Sequence, residues 1–107
     1  MPTKSVPIKL KDGKERALRF DWSALCRFER EFGYSVIDVG AKLGTGKVSF
    51  VEATNVIWAG LLHEEKPPSL HEVEKLLDLD DFFSYLKAIG EAISEAIPEE
   101  KETAKNV

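Results

Sequence analysis

Cysteine is nearly missing from this 107-residue chain, which has one, Cys26. One thiol cannot close an intramolecular disulfide, which excludes a stapled secreted scaffold. Long apolar runs are missing too. No stretch reaches the roughly 18 consecutive apolar residues that read as a transmembrane helix. No apolar segment follows Lys4, so no secretory leader is expected. Histidine is limited to His63 and His71, a thin supply for metal or acid–base chemistry. The expectation from these absences is a soluble cytoplasmic protein folded as one domain over 1–98, with a polar, fraying tail over 99–107.

Charge is plentiful and unevenly placed. Fifteen Lys and Arg oppose nineteen Asp and Glu, for a net −4. Residues 1–20 carry six basic and two acidic side chains, net +4, whereas 64–102 carry four basic and twelve acidic, net −8. Such polarity can steer a partner or orient self-association, and the acidic half disfavours nucleic acid.

The local pattern predicts an α+β fold: an N-terminal β-hairpin packed on a mainly helical body of about five helices. Segments 6–10 and 15–20 flank Asp12-Gly13, a turn signal because Gly13 reaches positive φ cheaply. Ile8, Leu10, Leu18 and Phe20 alternate onto one buried face. Asp21 caps a helix whose Trp22, Leu25, Phe28 and Phe32 form an inward stripe, and Gly33 closes it. A short helix is expected over 35–43, with Val36, Val39 and Leu43 inward. Ser49 and Glu52 form a capping box ahead of a long helix over 50–64. Its apolar residues, Phe50, Ala53, Val56, Ile57, Trp58, Leu61 and Leu62, cover more than one stripe, so this helix is expected at the centre of the core. Pro67-Pro68 breaks the chain, and Ser69 with Glu72 opens a fourth helix with Leu70, Val73, Leu76 and Leu77 on one side. Asp80 or Asp81 caps the last helix, whose stripe Phe82, Leu86, Ile89, Ile93 and Ile97 ends at Pro98. That stripe is the candidate protein-contact surface, as a helix-in-groove or self-association face.

No residue pattern carries a reaction. His63 and His71 flank the double proline without the spacing of a zinc-binding helix, and no metal or cofactor is expected. Cys26 lies between aromatic positions, where a thiol packs as a small apolar group. Gly44-Thr45-Gly46-Lys47 lacks the Ser or Thr that a phosphate loop places after its lysine, since Val48 follows. The pairs Glu64-Glu65, Asp80-Asp81 and Glu99-Glu100 are sequence neighbours, which diverge on a helix. A protein that is not an enzyme is therefore expected. The basic hairpin, with Lys9, Lys11, Lys14, Arg16 and Arg19 near Phe20 and Trp22, raises a nucleic-acid reading, although no nucleic-acid-binding motif accompanies it.

The run from Phe20 to Ser35, FDWSALCRFEREFGYS, resembles the opening of tail assembly chaperones of long-tailed bacteriophages and related prophages, with their F-D-x-x-A-L-x-x-F-E-x-x-x-G stretch. Trp58-Ala59-Gly60-Leu61 is similar to the W-A-G-L helix of the same family. The resemblance maps the family's fold-defining positions onto Phe20, Asp21, Leu25, Phe28, Glu29, Gly33, Trp58, Gly60 and Leu61. It implies a non-enzymatic protein of the host cytoplasm, not part of the mature virion. Its implied partners are the tape measure protein and the major tail tube protein, with a homo-oligomer left open. The alternatives are a small regulatory or adaptor protein acting through protein contacts, and a nucleic-acid-binding protein using the hairpin.

Overall fold

The computed structural model describes residues 5–98, so the tail expected over 99–107 lies outside the described residues. The order is β1 (Val6–Lys9), β2 (Glu15–Leu18), α1 (Trp22–Phe32), α2 (Val36–Leu43), α3 (Phe50–Gly60), α4 (Leu70–Leu76), a 3-10 turn (Leu79–Asp81) and α5 (Phe82–Ala96). This is the α+β arrangement that the pattern predicts, a two-stranded antiparallel hairpin ahead of five α-helices. No helix among the described residues is long and apolar enough to cross a membrane.

Gly13 takes φ +71° and its N–H donates to the Leu10 carbonyl at 3.0 Å, which turns the hairpin. Val6 pairs with Leu18 and Ile8 with Arg16, so these four side chains share a face. That face rests on α3 and α5, with Val6, Ile8, Leu10, Leu18 and Phe20 all buried. Two strands alone are marginal in water, and this contact stabilises them. The Arg16 guanidinium shares the face because Asp12 and Glu64 each accept from it at 2.7 Å.

Asp21 Oδ1 accepts from the Ala24 N–H at 2.8 Å and starts α1. Gly33, at φ +79°, ends it by donating to the Glu29 carbonyl at 2.9 Å, a conformation that disfavours other residues. Trp22 departs from its expected place, for it is 84% exposed. At about 100° per residue it lies roughly 120° from Phe28, and the buried line of α1 runs through Ala24 and Phe28 instead.

α3 is the central helix, packed against α1, α2, α4, α5 and β2. Its interior includes Asn55, whose Nδ2 donates to the Tyr34 hydroxyl at 3.0 Å, so the buried amide is not left unpaired. α3 ends at Gly60, short of the expected residue 64. There the Leu61 N–H is shared between the Ile57 and Trp58 carbonyls, and the Gly60 carbonyl accepts from the Arg19 N–H at 3.0 Å. The hairpin thus takes an acceptor that the next helical turn would have used. Phe50, expected inward, is 61% exposed at the first turn of the helix.

All three Ser caps work as capping boxes: Ser35 with Asp38, Ser49 with Glu52, Ser69 with Glu72. The first had no expected Glu or Gln, yet Asp38 is long enough to reach the Ser35 N–H at 3.1 Å. At α5 neither expected aspartate caps through its side chain. Asp78 does so one step earlier, accepting from the Asp80 N–H at 3.0 Å to start the 3-10 turn.

These boxes make a pH prediction. The Lys42 ammonium and the Ser49 N–H hold the Glu52 carboxyl below its ordinary 4.5, and the Ser69 N–H does the same for Glu72. A carboxyl depressed in the folded chain stabilises above its unfolded value and loses that stabilisation as pH falls through the folded one. The thermal midpoint is expected to drop as pH falls below about 4.5, with a shallower slope in Glu52→Gln/Glu72→Gln, which keeps the caps uncharged. An unchanged slope in that double variant, read by circular dichroism, contradicts the assignment.

Candidate functional site

His63, His71 and Cys26 lie on different segments of the fold, and His63 lines a hollow with Glu15, Glu64 and Glu65. His63 donates through Nε2 to the Ala17 carbonyl at 2.7 Å, the only role a ring nitrogen can play toward a carbonyl. His71 is exposed on α4, 3.7 Å from Glu74. Cys26 is half-buried on α1. Among the described residues no three His, Cys, Asp or Glu side chains gather as a metal-binding group. In the 44–47 loop, Gly46 takes φ +71° and Lys47 is exposed. For the hairpin reading, Phe20 is buried at 2% exposure and Arg16 is tied to Asp12 and Glu64, so neither is free to meet a nucleic acid.

The stripe of α5 expected to contact a partner turns inward. Ile89 has no exposure, and Phe82, Leu86 and Ile93 pack against the core, which leaves Ile97 half-buried at the helix end. The reason is stoichiometric: the hairpin and α2 both need an apolar face opposite them, and α5 is the element that supplies it.

Of the nine family-like positions, Phe20, Phe28, Trp58, Gly60 and Leu61 are buried and Leu25 packs against the core. Asp21 and Gly33 cap α1. Glu29 is exposed and contributes its carbonyl to the Gly33 turn. The exposed side chains among them are those of Asp21 and Glu29, and these positions serve packing and capping.

What faces solvent is a different apolar set. Phe50 at 61%, Leu79 at 76% and Phe83 at 79% exposure surround the junction of α3, the 3-10 turn and α5. Phe82 joins them, with ring centroids 4.8 Å from Phe50 and 5.4 Å from Phe83. Beside them a groove of about 240 Å³ runs between α3 and α5, with Phe50, Leu77, Leu79 and Phe82 as its apolar walls. Its charged lining is Glu74 and Asp78, and among the described residues no basic side chain lines it. Asp80 and Asp81 stand exposed on the adjoining turn. At its base the Tyr85 hydroxyl accepts from the Asp78 N–H at 2.9 Å, and burial pushes the phenol up from its ordinary value.

Sequence periodicity passes over Phe83 because only Phe82 falls on the inward stripe. The signal lies in the Phe82-Phe83 pair itself. Successive helical residues diverge by about 100°, so the two adjacent rings point in different directions, and here Phe83 is the one outside the core. One of them is left for something else.

No protein-family model matches the chain, and neither does any curated protein or solved structure.

Proposed function

We propose that this chain is a non-enzymatic assembly chaperone that holds an amphipathic helix of a partner protein. The observation that carries the reading is the exposed apolar set Phe50, Leu79 and Phe83, joined by the half-buried Phe82 ring and set beside a groove rimmed by carboxylates. Contiguous exposed apolar surface on a small domain marks an interaction site, whereas scattered apolar residues do not. A helix with aromatic or aliphatic anchors one turn apart, flanked by Lys or Arg, matches both the walls and the rim. Burying each large apolar side chain contributes about 1.5–3 kcal/mol, and the loss of translational and rotational freedom offsets much of the total. The contact is then weak and reversible, as suits a protein that keeps another soluble and later releases it.

The resemblance to phage tail assembly chaperones supplies the identity of the partners: the tape measure protein, which is long and helical, and the major tail tube protein, held in the host cytoplasm during tail morphogenesis and not in the finished virion. The uneven charge supports the same reading, since net −8 over 64–102 keeps a complex with an apolar partner in solution.

The test is co-expression of the full chain with tape measure and tail tube proteins. The helical partner is expected in the soluble fraction only when the chain is present. The triple variant Phe50→Ser/Leu79→Ser/Phe83→Ser is expected to abolish that effect. Because all three side chains are exposed, each change is expected to shift folding stability by no more than about 0.5 kcal/mol. Partner solubility that is independent of the chain, or indifferent to the triple variant, overturns the reading.

A further inference from the structure

A second concavity, of about 420 Å³, lies beside the C-terminal end of α3, where the junction of β2 with α1 meets the turn after α3. Three arginines line it, Arg19, Arg27 and Arg30, together with His63; its one acidic member is Asp21. The Asp21 carboxylate is already engaged as the cap of α1. Arg19 Nε is buried without an acceptor among the described residues, a donor whose desolvation is uncompensated. Arg27 is held over the Trp58 ring at 5.4 Å, and its 3.7 Å pairing with Glu31 is exposed and weak. Arg30 is exposed and has no ion pair among the described residues. Unneutralised cations around an orphaned buried donor leave the pocket short of negative charge.

We infer that this pocket binds a carboxylate side chain presented by an acidic segment of a protein partner. Guanidinium forks match carboxylate geometry and form short charge-assisted bonds with it. Nucleic acid is the less favoured ligand because a polyanion needs a continuous basic track. Here the other basic residues are interrupted by acids: Lys9, Lys14, Arg16 and Lys66 line an adjoining hollow, which shares His63, together with Glu15, Glu64 and Glu65. The pocket is independent of the aromatic groove, since Phe50 and Gly60 mark opposite ends of α3, about 15 Å apart along the helix axis.

The test is titration of the full chain with a capped oligoglutamate peptide, followed by backbone amide NMR shifts, with capped oligoglutamine and a short oligothymidylate as comparators. Shifts are expected at Arg19, Ser23, Ala24 and His63 with oligoglutamate and not with oligoglutamine. Arg30→Gln is expected to weaken binding about tenfold. As an exposed position it leaves the packing alone, so it carries the test even where Arg19→Gln loosens the hairpin. Phe83→Ser is expected to leave peptide affinity unchanged, which separates failure here from failure of the helix-holding groove. Equal binding of oligoglutamine, indifference to Arg30→Gln, or tighter binding of oligothymidylate at the same amides overturns the inference.

Discussion

Phe28→Ala is expected to remove about 3–5 kcal/mol of folding stability, the usual cost of truncating a fully enclosed aromatic. Phe28 has no exposure, and it meets Phe32 edge-on at 4.9 Å and Tyr34 at 5.3 Å between centroids. Phe32 in turn meets Trp58 at 5.6 Å, which makes Phe28 the inner member of an aromatic chain joining α1 to α3. Its loss leaves a cavity that neighbouring rings in fixed rotamers cannot fill, and it removes edge-to-face contacts beyond the buried area. Against a typical total of about 5–15 kcal/mol, the variant sits near the folding threshold. The thermal midpoint is expected to fall by roughly 15–30 °C. Denaturant titration measures the energy directly, and a loss below about 1 kcal/mol would mean that the aromatic chain is not a structural seam.

Gly60→Ala is expected to destabilise as well, although alanine is ordinarily the better helix residue by about 1 kcal/mol. A β-carbon at Gly60 would lie 2.8 Å from Leu18 Cδ2, 3.3 Å from Leu18 Cβ and 3.3 Å from Phe20 Cε1. Leu18 is fully buried, so its methyl has nowhere to withdraw, and overpacking of this kind costs about 1–3 kcal/mol. The clash names its own control. In a Leu18→Ala background, itself costing about 2–5 kcal/mol, the obstruction is gone and Gly60→Ala is expected to turn neutral or stabilising. Simple additivity in that double-mutant cycle would show that the close approach of the hairpin to α3 does not constrain residue 60.

Both predictions fall on residues that sequence patterns had singled out, yet for reasons that those patterns did not contain. Phe28 lies on an amphipathic stripe, and its burial follows from period alone. By helix propensity Gly60 reads as a weak position, and the resemblance marks it without giving a reason. Its necessity comes from Leu18, 42 positions earlier in the chain, and no local pattern encodes that approach. Trp22 and Phe50 show the reverse case. Each extends a helical stripe on paper, but each sits in a first turn that projects past its neighbour, where period no longer implies contact.

The candidate site divides the same way. The acidic composition of 64–102 was legible, and so was the stripe that Phe82 opens. Phe83 was passed over because it lies off that stripe. The α5 stripe read as a partner-contact face because an isolated amphipathic helix looks the same whether its apolar side meets a partner or its own domain. Three arginines spread from residue 19 to residue 30 gave no sign of sharing a pocket with His63, because the turn after α3 must fold back on α1 to bring them together.

What the sequence determined by itself is therefore local: the hairpin turn at Gly13, the caps at Asp21, Gly33, Ser49 and Ser69, and the helical periods between them. Those depend on backbone hydrogen bonds and side-chain spacing within a few residues. Tertiary structure alone decided which apolar side chains were used up by the core and which were left outside. A finite core has room for only so many. The scarce cysteines and histidines excluded staples and made metal chemistry improbable from the start, but the surplus aromatics and arginines that define the two surfaces exist only once α3 and α5 have taken their share.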